Sequence, residues 1–261
     1  VSAPVPLNTV AYDGPGDVPL VIAHGLFGSA RNWNVIAKRL STDRPVVAVD
    51  MRNHGDSPHD PDNSYAALAA DLRAVIEGLG GTADLLGHSM GGKAAMMVGL
   101  QAPEVLRHLV IADIAPVAYT HTQMPLIKAM QKVDLGAVSR RSDADAQLKA
   151  AVPDAMLRAF LLQSLSVGPD GARWKLNLDA LGAQMGRIIG FPQDAGTSAL
   201  PATFLRGGAS DYATGPQEAA IMAAFPAARI EEMPGLGHWL HAEDPRGFET
   251  RLRTILGEGE A

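Results

Sequence analysis

Short, mostly apolar runs recur along the chain at residues 19–23, 45–49, 83–86, 109–112 and 202–205. They are continuous rather than alternating with polar positions. Strands buried on both faces read this way, which predicts a parallel sheet covered by helices. Between the runs, apolar residues return at helical spacing over 65–79 and 93–101, and Pro103 stops the second helix because it has no N–H to donate. Strand–helix alternation of this kind predicts an α/β fold.

The rhythm breaks between about residues 117 and 199. Helical patterns occupy 124–133, 143–151, 154–165 and 176–189 without a buried-strand run, and the strand–helix alternation then resumes. The economical expectation is one domain over 1–261. Its core is 1–116 with 200–261, and an all-helical insertion of about 117–199 sits as a cap over one edge of the sheet. No repeat of 20–50 residues and no low-complexity tract appears beyond a mild alanine bias.

Composition narrows the chemistry. Of 261 residues, 47% are hydrophobic and 19% charged, which suits a packed core. The formal charge of −6 argues against a generic nucleic-acid binder, which needs basic surface to displace counterions. With no cysteine, thiolate nucleophiles and Cys-ligated zinc are excluded. No apolar run is long enough to span a membrane, and the first residues lack the layout of a signal peptide, so a cytoplasmic protein is expected.

The segment Leu85-Leu86-Gly87-His88-Ser89-Met90-Gly91-Gly92 is a buried strand, then G-x-S-x-G, then a helix. On a sharp strand-to-helix turn the serine backbone is strained and its neighbours two residues away are forced close, which calls for Gly87 and Gly91. The turn lifts the Ser89 hydroxyl above the sheet and leaves the Met90 N–H at a helix N-terminus, where a developing oxyanion is stabilised. Residues 87–93 also fit the start of a phosphate-binding loop, G-x-x-x-x-G-K. Ala94 then lacks the hydroxyl that such a loop needs for magnesium.

A serine needs a base. Of eight histidines, His88 flanks the serine and is expected to point elsewhere. His54 and His59 lie in a polar loop, His108 begins a strand, and His121 opens the insertion. His24 heads the glycine-rich His24-Gly25-Leu26-Phe27-Gly28-Ser29, a second source of oxyanion N–H, from Leu26 with Phe27 next in line. His238 follows the strand-like 229–233 on a glycine-rich loop, where the base falls in the order Ser…Asp…His, and His241 supports that loop. The His/Asp mixture of 54–62 fits neither a calcium hand nor a zinc site and reads as a solvated turn, so no metal is expected. The stretch 155–162, with Trp174 and Met185, is a candidate acyl-pocket lining.

Taken together, His24-Gly-Leu-Phe-Gly-Ser29, Asp50-Met-Arg-Asn-His-Gly-Asp-Ser57, Gly87-His-Ser-Met-Gly-Gly-Lys93, Asp113-Ile-Ala-Pro116 and Gly237-His-Trp-Leu-His241 resemble the α/β-hydrolase superfamily. Within it they are similar to a subgroup of small bacterial esterases and the mitochondrial alpha/beta-hydrolase-domain-containing protein 11. The resemblance runs from about residue 18 to 256. It implies a mostly parallel, eight-stranded sheet with a helical cap, and cofactor-free hydrolysis of small-molecule acyl esters or thioesters. Ser89 and His238 match the nucleophile and base. For the acid, Asp113, to which the subgroup points, is favoured over Asp211 at the commoner superfamily location, and Asp179 stands third. A hydrolase-fold binding module without turnover, and a cofactor-free peroxidase-like or carbon–carbon hydrolase, are the alternatives.

Overall fold

A computed structural model describes residues 2–257 of the 261. Nine strands are present among them: β1 (Thr9–Tyr12), β2 (Leu20–Ala23), β3 (Val46–Val49), β4 (Ala83–His88), β5 (Leu106–Ala112), β6 (Leu165–Gly168), β7 (Gly171–Trp174), β8 (Ala202–Gly207) and β9 (Arg229–Met233). Seven form the main sheet in the order β1-β3-β2-β4-β5-β8-β9. All neighbours are parallel except β1, which runs antiparallel to β3 with Thr9 opposite Val49 and Tyr12 opposite Val46.

The continuous apolarity of β2, β3 and β4 has its physical cause here, since every residue of the three is buried. Side chains alternate between faces. On one face Leu20 and Ile22 pack with Trp33, Ile36, Leu40, Phe248 and Leu252, from helices Asn34–Leu40 and Pro245–Ile255 and the turn before the first. On the other, Val21 joins Leu68, Leu72, Ile76 and Met96 from helices Tyr65–Gly78 and Met90–Gln101.

Two expectations are corrected. The main sheet has seven strands among the described residues, not eight. Ahead of β1 the chain carries Pro4 and Pro6, which cannot donate to a ladder. The Val5 and Asn8 N–H groups go instead to Asp71 Oδ1 and Ser57 Oγ, both at 2.8 Å.

The insertion between β5 and β8 is not all-helical either. Its helices, Met124–Gln131, Arg141–Leu148, Ala155–Leu161, Leu178–Ala183 and Met185–Ile189, are joined by the antiparallel hairpin β6–β7. These strands are four residues long and mostly part-exposed, so they leave no buried-strand run; their signal is the Pro169-Asp170-Gly171 turn. The hairpin is tied to the first helix by Trp174 Nε1–H, which donates to Met130 O at 3.0 Å. Among the described residues no helix is long and apolar enough to cross a membrane.

Candidate active site

Ser89 stands between β4 and the helix Met90–Gln101 with φ +53° and ψ −117°, a conformation that costs an L-residue energy and needs the surroundings to hold it. Gly87 and Gly91 make it possible. A Cβ on Gly87 would collide with the Gly91 carbonyl, and one on Gly91 with the carbonyls of Ala23 and His24.

The parallel order β4-β5-β8-β9 brings the ends of four strands side by side, and the polar groups beyond them converge. Ser89 Oγ lies 3.0 Å from His238 Nε2, and His238 Nδ1 lies 2.7 Å from Asp113 Oδ2. Asp113, just past β5, is buried and also has positive φ, +51°. Its carboxylate accepts from Gly207 N at 2.9 Å and from the Ser210 hydroxyl. Those donors hold its second oxygen on the imidazole, which keeps the ring in the tautomer whose Nε2 accepts from the serine.

Asp211 is not brought in. It is exposed, one residue beyond the inward-facing Ser210. Asp179 accepts from Gln131 Nε2 at 2.8 Å within the insertion.

Further groups fix the His238 ring, and sequence reasoning missed them. Tyr212 stacks on the His238 ring. His88 turns inward rather than away, because all six positions of β4 are buried, and its Nε2–H donates to His238 O at 2.8 Å. Burial, with His238 and His241 close by, holds His88 well below the usual histidine range, so it stays neutral. His241 lies flat on Trp33, and burial pushes it down to about 3.

The N–H groups of Leu26 and Phe27 differ in their partners. The Phe27 N–H is already spent on His54 Nε2 at 3.2 Å. Among the described residues the N–H groups of Leu26 and Met90 donate to no protein acceptor. The loop bearing Leu26 is braced reciprocally. His24 Nε2 accepts from Met51 N at 2.9 Å while its Nδ1–H donates to Gly25 O at 2.7 Å. His54 Nδ1–H donates to Arg52 O at 2.9 Å. Burial pushes His24 down to about 4 and, with the nearby His24 ring, His54 to about 3. Both are neutral struts.

The segment 54–62 is therefore only partly the solvated turn expected of it. Its inner half, with Asn53, His54 and Ser57, is buried against Asp50, whose carboxylate accepts from Ala30 N and Asn8 Nδ2, both at 2.8 Å. No local pattern marks that inward half, because burial here is imposed by the glycine-rich loop lying across it.

Above Ser89 opens a cavity of about 290 Å³ with a largely apolar lining, including Leu26, Leu126, Leu157, Phe160, Ile188 and Ile189. Leu157 and Phe160 fulfil part of the expected lining. Trp174 and Met185 do not reach it and pack within the larger hydrophobic core. Lys93, whose sequence position invited comparison with a phosphate loop, spends its ammonium on backbone carbonyls. Among the described residues no cluster of three or more His, Asp or Glu side chains is arranged to hold a metal ion.

Comparison with known proteins gives the family. Residues 20–251 match the Alpha/beta hydrolase family. The chain is 40% identical over 263 residues to the sn-1-specific diacylglycerol lipase ABHD11 of Mus musculus, covering 97% of this chain and 86% of that protein. It is 36% identical to Esterase YbfF of Escherichia coli (strain K12), covering 92% and 93% of the two chains. A solved structure described as a marine microorganism esterase superposes with a TM-score of 0.91 at 35% identity, covering 96% of this chain and 99% of that one. The chain belongs to the alpha/beta hydrolase family, among its esterase- and lipase-type members.

Proposed function

We propose that this carboxylic ester hydrolase is a serine esterase acting on short- to medium-chain acyl esters or thioesters, with Ser89 as nucleophile, His238 as base and Asp113 as the orienting acid. The observation that carries the reading is the unbroken relay from Ser89 Oγ through the His238 ring to Asp113. Ser89 attacks the acyl carbonyl as its proton passes to His238 Nε2, and Asp113 stabilises the imidazolium that forms. The oxyanion is received by the N–H groups of Met90 and Leu26, fixed donors already in place before the reaction. Imidazolium then protonates the leaving alcohol or thiol. A water deprotonated by the same nitrogen attacks the acyl-enzyme, and the carboxylic acid leaves.

The insertion 117–199 acts in this reading as a cap on a single domain, contributing Leu126, Leu157, Phe160, Ile188 and Ile189 to the apolar cavity that receives the acyl chain. No cofactor enters the mechanism, and the partner is the small-molecule substrate alone.

Ser89→Ala tests the reading. Hydrolysis of p-nitrophenyl esters should fall by about 10⁴-fold or more, and covalent labelling by a fluorophosphonate should disappear. A variant retaining ester hydrolysis near the normal rate would refute it.

A further inference from the structure

Lys93 lies on the first turn of the helix that follows Ser89 and is 1% exposed. Among the described residues it forms no ion pair. Its Nζ donates to three carbonyls, Val117 O at 2.8 Å, Ile189 O at 3.0 Å and Gly190 O at 2.6 Å. Burial pushes Lys93 down to about 7, and in its protonated form the three N–H groups match the three carbonyls. The cation also lies 4.8 Å from the ring centre of Tyr119 and 5.7 Å from that of Tyr65.

The place of those carbonyls gives the arrangement its meaning. Val117 is where the chain leaves β5 for the insertion, and Ile189–Gly190 closes the insertion's last helix. Other donors draw on the same stretch. Tyr65 Oη–H donates to Ile188 O at 2.6 Å, and Tyr119 N–H to Ile189 O at 2.9 Å. The side chains of Ile188 and Ile189 line the cavity over Ser89. A buried cation without a counterion is costly, and an apolar side chain of similar length would fill the space without that cost. What an apolar side chain cannot do is tie three carbonyls from two chain crossings to one point.

We infer that Lys93 is a positioning residue for acyl-chain selectivity: its ammonium seats the start of the insertion and the end of its last helix on the helix that follows Ser89, and so sets the wall that Ile188 and Ile189 present to the substrate. The inference rests on the esterase reading. The Lys93 side chain borders the same cavity but makes no hydrogen bond to Ser89 or His238, and only its backbone N–H reaches Ser89 O, at 3.0 Å, so losing the side chain should alter which acyl chains are accepted more than the chemistry they share.

The test is the ratio of kcat/KM for p-nitrophenyl hexanoate to that for p-nitrophenyl acetate, in the wild type and in Lys93→Met. Effects on Ser89, His238 and the leaving group enter both terms and cancel. The ratio should fall by about fivefold or more, chiefly through KM for the longer ester. A folded, active Lys93→Met enzyme with a smaller change overturns the inference. Should that variant not fold, Lys93→Gln, which retains part of the donor set, is judged by the same ratio. Failure of the esterase reading is seen separately, as hydrolysis that survives Ser89→Ala.

Discussion

The ring of Tyr212 lies on the imidazole of His238, with centroids 4.0 Å apart and planes 19° from parallel. A histidine on a glycine-rich loop has rotamers to lose, and this contact removes them. It leaves Nδ1 on Asp113 and Nε2 on Ser89. Tyr212→Ala should therefore lower kcat by about tenfold with a smaller change in KM. Tyr212→Phe keeps the stack, losing only the hydroxyl contact with His121, and should stay within about twofold. Steady-state kinetics decides, and equal losses in the two variants would contradict the argument.

The acid is separated by a pair of substitutions. Asp113→Asn leaves the shape of the site but presents an amide where the imidazolium needs a negative charge. We expect kcat to fall on the order of 10³–10⁴-fold. Asp211 is exposed and lies outside the relay, so Asp211→Asn should change kcat by less than about twofold. If the larger loss followed Asp211→Asn, the assignment would be reversed.

Acid should destabilise the fold through its buried histidines. His24 is pushed down to about 4, and His54 and His241 to about 3, each by burial. Below the ordinary histidine value near 6.5, the unfolded chain takes up protons that the folded one refuses. Stability is then full above that value and is lost as pH falls towards 4 and 3. Asp62, held down to about 2 chiefly by hydrogen bonds from Ser2 and Ser64, adds to the loss only below its ordinary value near 3.8. Between about pH 6.5 and about pH 5 each buried histidine should contribute roughly 2 kcal/mol of lost stability. Thermal unfolding across this range measures it, and a melting temperature that stays level would count against neutral, buried imidazoles.

Much of the architecture was legible because it is local. Two-sided burial writes itself into 20–23, 46–49 and 83–88 as unbroken apolarity, and the strained turn at Ser89 demands glycine on either side. Elements whose burial is partial were hidden: β1 alternates exposed and half-buried positions at the sheet edge, and β6–β7 is too short to pattern. Ser89 and His238 were readable as candidates from their flanking glycines. Asp113 was favoured over Asp211 through the family resemblance, while local pattern did not separate them, since both follow strands. What sets the two apart in the folded chain is that Gly207 N–H and the Ser210 hydroxyl reach Asp113 across 94 and 97 residues of chain. Lys93, Tyr212 and His88 gain their places in the same way. Local pattern determines which segments become strands and helices, because it depends on neighbours in sequence; the partner each polar group finds depends on strand order, which only the folded chain decides.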